Sequence, residues 1–336
     1  MHMADALLSP AVGVAMCAVS AGVMAYSSAK IKRDELSEKK LPVMAVAGAF
    51  VFAAQMINFT IPGTGSSGHI GGGILLAALL GGFPALLTIA AVLVIQALFF
   101  ADGGLLALGC NIFNMGVLPC LIVYPLIFKP LTQKGFTGKR LGLASMLSVV
   151  MGLQSGAFSV VLETLASGVT ELPFSAFLAL MQPIHLAIGI VEGIVTAAVL
   201  VFVHKLRPEI LESARERGAI GKTVSVKKAV IALAVITALV GGGLSLFASA
   251  YPDGLEWSME KVAGTAELEA SGGIYDGAAS AQDATAFMPD YAFASDSENA
   301  AGTSVAGIVG SAVTFALAGA VGLGIAWVKK KKKAAV

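Results

Sequence analysis

The strongest constraint on this chain is a series of apolar runs long enough to cross a lipid bilayer, which takes about 20 residues of helix. They fall at about residues 7–28, 41–59, 83–100, 110–128, 141–165, 177–203, 229–250 and 304–328, with a shorter one over 70–80. Hydrophobic residues make up 57% of the 336 and charged residues 13%, and mean hydropathy is +0.84. That balance is far too apolar for a soluble domain, so an all-α polytopic membrane protein is expected. The net charge of +1 gives no sign of a nucleic-acid partner, because the basic residues are sorted by membrane side.

The sorting orients the chain. Lys30, Lys32, Arg33, Lys39 and Lys40 follow the first span; Lys129, Lys134, Lys139 and Arg140 follow the fifth; Lys205, Arg207, Arg215 and Arg217 follow the seventh. By the positive-inside rule these loops are cytoplasmic and the N-terminus is outside. Residues 1–205 therefore read as a seven-span unit, 206–228 as a polar cytoplasmic linker broken by Pro208 and Gly218, and 229–336 as a two-span unit. That last unit has a long outer segment, 251–303, and ends at Lys329 to Lys333 on the cytoplasmic side. About nine spans result. The run over 70–80 is short for a crossing and is expected to start within the membrane, from a loop folded inward among protein or a polar cavity. With no Lys or Arg before Lys30 and an acidic Asp5, the first span does not read as a cleaved signal. Cys17, Cys110 and Cys120 lack CxxC spacing and read as apolar packers.

Chemistry begins at Met1 and His2, which carry three nitrogens in series: the terminal amine, the His2 amide and the His2 Nδ1. On one metal ion they close fused five- and six-membered rings. The bulky second residue favours retention of the initiator methionine. A fourth nitrogen is available from His69, in the uncharged stretch Gly63-Thr64-Gly65-Ser66-Ser67-Gly68-His69-Ile70. Four nitrogens in a plane suit Ni²⁺ or Cu²⁺ better than Zn²⁺ or Mg²⁺. On its own, a second-position His is ordinarily just a start residue.

Polar residues within apolar spans are costly and mark candidate sites. Gln55 and Asn58, one helical turn apart, share a face beside the His69 loop with its Ser66 and Ser67, and Asn58 is placed to hydrogen-bond a ligand imidazole. Asp102, Asn111 and Asn114 gather at the outer link between spans four and five, and Glu163 ends span six. His185 and Glu192 share one face of span seven, either as a functional pair or as an interhelical hydrogen bond. His204 reads as a solvated interface residue. The outer segment holds Asp253, Glu256, Glu260, Glu267, Glu269, Asp276, Asp283, Asp290, Asp296 and Glu298 against Lys261 alone. Such a patch concentrates cations, or is simply a solvated, partly disordered loop. Gly221-Lys222-Thr223 is no phosphate loop, since Glu216 stands where the earlier glycine belongs, and no other stretch suits ATP hydrolysis.

The start Met1 to Pro10, the Asn58 to Gly73 stretch, Asn111-Ile112-Phe113-Asn114-Met115-Gly116 and His185 to Glu192 together resemble the nickel/cobalt substrate-capture component of energy-coupling factor transporters. The likeness covers about the first 205 residues. Pro252-Asp253-Gly254-Leu255-Glu256 resembles the accessory PDGLE domain, here fused. The resemblance implies a seven-helix capture bundle with a two-helix accessory unit in the plasma membrane. It implies that Met1, His2 and His69 hold the metal, with the N-terminus tucked into the outer half of the bundle. Ni²⁺ or Co²⁺ would be cargo, with no resident cofactor. The implied partners are a transmembrane coupling subunit and two cytoplasmic ATPases. The cobalt branch usually carries Pro-Asp-Gly after the start, whereas this chain has Met3-Ala4-Asp5-Ala6, so Ni²⁺ is favoured on coordination chemistry. Cobalt uptake for cobalamin biosynthesis by the same architecture is the alternative. A stand-alone carrier calls for a charged pathway or an internal repeat, and a membrane metalloenzyme for an open metal position and a base, as in the absent HExxH.

Overall fold

Ser9 caps the first long helix by accepting from the Val12 amide at 3.4 Å, and Pro10 occupies the position where a missing N–H costs nothing. The computed structural model describes residues 1–293 and 300–334; of the outer carboxylates, Asp296 and Glu298 lie outside the described residues. Helices α1 (Pro10–Lys30) and α2 (Lys40–Gln55) lead to a two-stranded antiparallel ribbon, β1 (Phe59–Ile61) and β2 (Ser66–Gly68), with Phe59 opposite Gly68. Then come α3 (Gly73–Leu80), α4 (Gly82–Phe100) and α5 (Leu108–Ile112). Next, α5 runs through a π-wound stretch, Phe113–Phe128, into α6 (Lys129–Thr132). The chain continues with α7 (Gly138–Ser167), α8 (Phe174–Leu206), α9 (Pro208–Glu216), α10 (Lys227–Gly242), α11 (Gly254–Ala263), α12 (Ile274–Thr285) and α13 (Ala300–Ala334).

Seven helical segments among the described residues are long and apolar enough to cross a membrane. The remaining two expected spans are α2, with 16 residues, and α3, with 8. A helix of eight residues rises only about 12 Å. Every residue of α3 is buried, so its ends fall among protein, where broken backbone pairing is tolerated. The π-winding has a local cause. Pro119 and Pro125 lack the N–H that an α-helical ladder needs, and the Lys129 amide reaches back to the Tyr124 carbonyl.

Within the segment expected as a cytoplasmic linker, residues 208–216 form a docked helix. Pro208 starts α9, and its apolar side, Ile210, Leu211 and Ala214, is buried at the end of the bundle opposite Met1. Lys40 Nζ donates to the Ser213 and Gly218 carbonyls, and Arg217 pairs with Glu35.

The accessory helices α10 and α13 pack along α2. Their backbones touch where two glycines meet: a Cβ on Gly307 would stand 2.2 Å from the Gly241 carbonyl oxygen. Residues 251–293 add α11 and α12 across the Met1 end of the bundle. No residue of α12 is buried, which is why its composition suggests disorder. Polar anchors hold it nonetheless: Gln282 Nε2 donates to the Ala97 and Gly103 carbonyls, and the Tyr275 hydroxyl donates to that of Leu8.

Candidate metal centre

The N-terminal segment is threaded into the bundle by Asn111, whose Oδ1 accepts from the Met3 amide at 2.8 Å and whose Nδ2 donates to the Met3 carbonyl at 3.2 Å. The same carbonyl accepts from the Gly104 amide, and Asp5 Oδ1 accepts from the Ala107 amide. Four hydrogen bonds thus lock residues whose composition alone would leave them loose. Asn114 sits below, donating to Glu163 Oε2 at 2.8 Å and lying 3.8 Å from the Met3 sulfur.

This threading carries the Met1 amine to His69 and Asp253. The amine lies 3.4 Å from His69 Nε2 and 2.8 Å from Asp253 Oδ2, and His69 Nε2 is 3.7 Å from the same oxygen. His69 Nδ1 stands 3.0 Å from the Ile70 carbonyl, which only accepts; the ring proton therefore sits on Nδ1 and Nε2 keeps its lone pair toward the amine. Gly68 is required beside it, because a Cβ there would meet Ile188 at 2.4 Å. Asp253 spends its other oxygen on the start of α11, accepting from the Leu255 and Glu256 amides while Glu256 reaches back to the Asp253 amide. Burial alone would push this carboxyl up, yet the Met1 ammonium at 2.8 Å holds it well below the usual carboxylate range.

The His2 ring stacks on His69, centroids 5.0 Å apart. Its Nε2 is 3.2 Å from Gln96 Oε1 and its Nδ1 is 3.3 Å from Asp102 Oδ1. Gln96 Nε2 donates to the Tyr291 hydroxyl, which donates to Asp102 Oδ2, closing a ring of hydrogen bonds around the imidazole. Burial pushes the His2 imidazole down to about 4, against the pull of Asp102. A neutral ring has a single N–H for two acceptors, so one His2 nitrogen presents a lone pair.

The other sequence candidates support the loop. Gln55 Nε2 donates to the Gly71 carbonyl, and Glu192 accepts from the Gly71 and Gly72 amides at 2.8 Å each, holding the turn at which Gly72 takes φ 77°. The Ser67 amide and hydroxyl donate to the Pro252 and Tyr251 carbonyls, joining β2 to the accessory unit, and the Ser66 hydroxyl lies 3.4 Å from the Pro252 oxygen. Asn58 contributes its backbone carbonyl to the Ser249 amide. His185 lines a small cavity with Met1 and His69. Three residues that sequence reasoning did not single out as site residues complete the arrangement: Gln96, Asp253 and Tyr291. Gln96 carried a signal, a buried polar group inside an apolar span.

Beyond His2 a cavity of about 720 Å³ opens between the two units, with Asp5, Asp102, Asp253, Glu256, Glu267, Glu269 and Asp290 in its wall and, among the described residues, no Lys or Arg. Among the described residues no three His, Cys, Asp or Glu side chains form a ready metal cluster.

His2 lines the acidic cavity, with the Met1 amine and His69 packed behind it, in a membrane bundle of the metal-transporter class. The chain belongs to the family described as the cobalt uptake substrate-specific transmembrane region, which it matches over residues 2–210, in a form fused to a PDGLE domain matched over 227–326. It is 30% identical, over 94% of its own length and 96% of the relative's, to an Archaeoglobus fulgidus protein that carries the name fused nickel transport protein NikMN. The fused nickel transport protein NikMN of Rhodobacter capsulatus is 32% identical over 82% of this chain and 81% of that protein. A crystal structure of a transition metal transporter superposes with a TM-score of 0.54 at 29% identity, covering 65% of this chain and 100% of the other. This is a multi-pass membrane protein of nickel/cobalt transport, and the metal is its cargo.

Proposed function

We propose that the chain is the substrate-capture component of an energy-coupling factor importer, and that it takes Ni²⁺ from the outer side through the Met1 amine, the His2 amide, His2 Nδ1 and His69 Nε2. The observation that carries this reading is the 3.4 Å approach of the Met1 amine to a His69 Nε2 that turns its lone pair toward it. The His2–Gln96 contact supports it, because an Nε2 proton donated to Gln96 leaves Nδ1 as the donor a chelate needs. The acidic cavity supports capture from outside by raising the local cation concentration. The charge sorting of the loops supports about nine crossings with the N-terminus out. With no phosphate loop in the sequence, transport rests on partners: a transmembrane coupling subunit and two ATPases.

The test is a single residue added before Met1. It turns the amine into an amide, and Ni²⁺ affinity measured by calorimetry on the purified chain is expected to collapse. Retained stoichiometric binding by the extended protein refutes the chelate. Cobalt is the second reading, favoured by one observation: Asp253 sets a carboxylate oxygen 2.8 Å from the amine, and an oxygen donor suits six-coordinate Co²⁺ better than planar Ni²⁺.

A further inference from the structure

Between the Met1 side chain and α8 lies a cavity of about 10 Å³, room for about one water-sized centre. Met1, His69, His185 and Asp253 line it, with Met115, Leu153 and Ile188 as its apolar wall. His185 is 1% exposed. Its Nδ1 lies 2.8 Å from the Met181 carbonyl one turn back along α8, so the ring proton is on Nδ1 and Nε2 is a bare lone pair. That Nε2 has no hydrogen-bond partner among the described residues. Buried acceptors left in this condition are rare and call for a reason.

The structural reading of His185, a hydrogen bond tying two helices, does not supply one, since its bond stays within its own helix. Packing does not supply one either: an imidazole in a purely apolar contact leaves a polar atom unsatisfied where Leu or Phe would not. The same device occurs at His69, where a backbone carbonyl takes the Nδ1 proton and frees Nε2. Two imidazoles with the same tautomer thus border one cavity beside the Met1 amine. Gly254 makes this possible, because a Cβ there would stand 3.1 Å from His185 Cε1. Glu192, farther along the same face, is committed to the Gly71 and Gly72 amides and is no ligand while that turn holds.

Resting on the capture reading above, we propose that His185 Nε2 is a further ligand for the transported ion, on the α8 side of the capture site. There a divalent first-row metal that accepts imidazole nitrogen passes from the His2 nitrogens to a set made of the Met1 amine, His69 and His185. The amine again completes what side chains alone do not. In this exchange the metal–nitrogen bonds to His2 break, the metal–His185 bond forms, and the His2 amide nitrogen, deprotonated in the capture set, takes a proton back from water.

The test isolates the second set by removing His2. His2→Phe keeps the bulky second residue that spares Met1 and leaves the amine, His69 and His185. Titrated with NiCl₂, the full chain carrying His2→Phe is expected to keep a single weaker site. Adding His185→Ala is expected to weaken that site by about tenfold or more. Adding His185→Gln, which preserves volume, is expected to act likewise, and this guards against a loss caused by unfolding. The visible absorption of Co²⁺ bound to the His2→Phe chain is expected to change when His185 is lost, which a packing role does not produce. Equal affinity and an equal Co²⁺ spectrum with and without His185 overturn this inference alone. A chain with native His2 that binds no metal overturns the capture reading and this inference with it.

Discussion

The Met1 ammonium and the Asp253 carboxylate, 252 residues apart in the chain, form a buried ion pair at 2.8 Å. One oxygen of Asp253 faces the amine of the capture unit while the other starts α11 of the accessory unit, so a single side chain ties the position of the amine to the folding of the outer segment. The Pro252 carbonyl beside it bonds to Ser67 and the Gly254 position leaves room for His185, so consecutive residues of one turn hold three parts of the site.

Asp253→Ala strips the buried ammonium of its countercharge and α11 of its cap. Removing one partner of a buried pair costs about 3–5 kcal/mol, and losing a cap about 1 kcal/mol more. Hydrogen exchange is expected to rise in Gly254–Ala263 and in the first residues, with α7 and α8 unchanged. The sign of the pH effect follows from a folded value below the unfolded value of about 4. Such a carboxylate stabilises the fold at every pH above about 4, and the contribution fades only as pH falls below that. Asp253 should therefore contribute no change in α11 protection from neutral pH down to about 5; any change in that window belongs to Glu256, which burial and the Asp253 charge push up to about 7. Unaltered exchange in Asp253→Ala refutes the coupling.

Gln96 orders the His2 ring from inside α4, where it is fully buried. With Gln96→Leu the Nε2 proton loses its acceptor, the alternative tautomer facing Asp102 gains, and Nδ1 is no longer the free donor. Loss of an orienting partner of this kind costs about 10–100-fold in metal affinity. Calorimetry should find that loss with the fold intact, and Tyr291→Phe, one bond farther away, should cost less. A change under about threefold in Gln96→Leu means that the ring is oriented by something else.

The helical class and most of the span positions were legible because a bilayer imposes a length and a composition that no other solvent does. The interior runs were harder. α2 is buried on nearly every side and α3 throughout, and an apolar run reads the same whether it faces lipid or protein. In α9 the hydrophobic side of Ile210, Leu211 and Ala214 was masked by the charges between them. At the candidate site, Met1, His2 and His69 were readable from donor chemistry, which is local. Asp253 and Gln96 depend on contacts across 252 and 94 residues, and no spacing rule encodes those. Asp253 did stand in a pattern with a local meaning, Asp followed three residues later by Glu, which starts a helix.

His69 and His204 give a matched comparison of two histidines. His69→Ala removes the nitrogen that faces the amine and is expected to weaken Ni²⁺ binding by at least about 100-fold. His204 lies near the other end of α8, against Phe136, with centroids 5.8 Å apart, and His204→Ala is expected to leave binding unchanged. Equal losses in the two variants mean that the fourth nitrogen has been misplaced.

The last prediction concerns protons. Coordination by the His2 amide requires that nitrogen to lose its proton, and near neutral pH only an ion that gains strongly from a planar strong-field set repays that loss. The Met1 ammonium paired with Asp253 must lose a proton as well. At His2 burial brings the ring down to about 4, so it is neutral well below pH 7 and has no proton to give up. Ni²⁺ binding near pH 7 should therefore release about two protons, one from the amine and one from the amide. Calorimetry in buffers of different ionisation enthalpy measures this number directly. Affinity should fall as pH drops, because protons compete for the amine and amide, but His2 adds its own competition only near pH 4. The complex should be yellow, diamagnetic and planar. Release of a single proton, together with a paramagnetic six-coordinate ion, removes the amide from the ligand set, and cobalt with an Asp253 oxygen then becomes the better description of the cargo and its site.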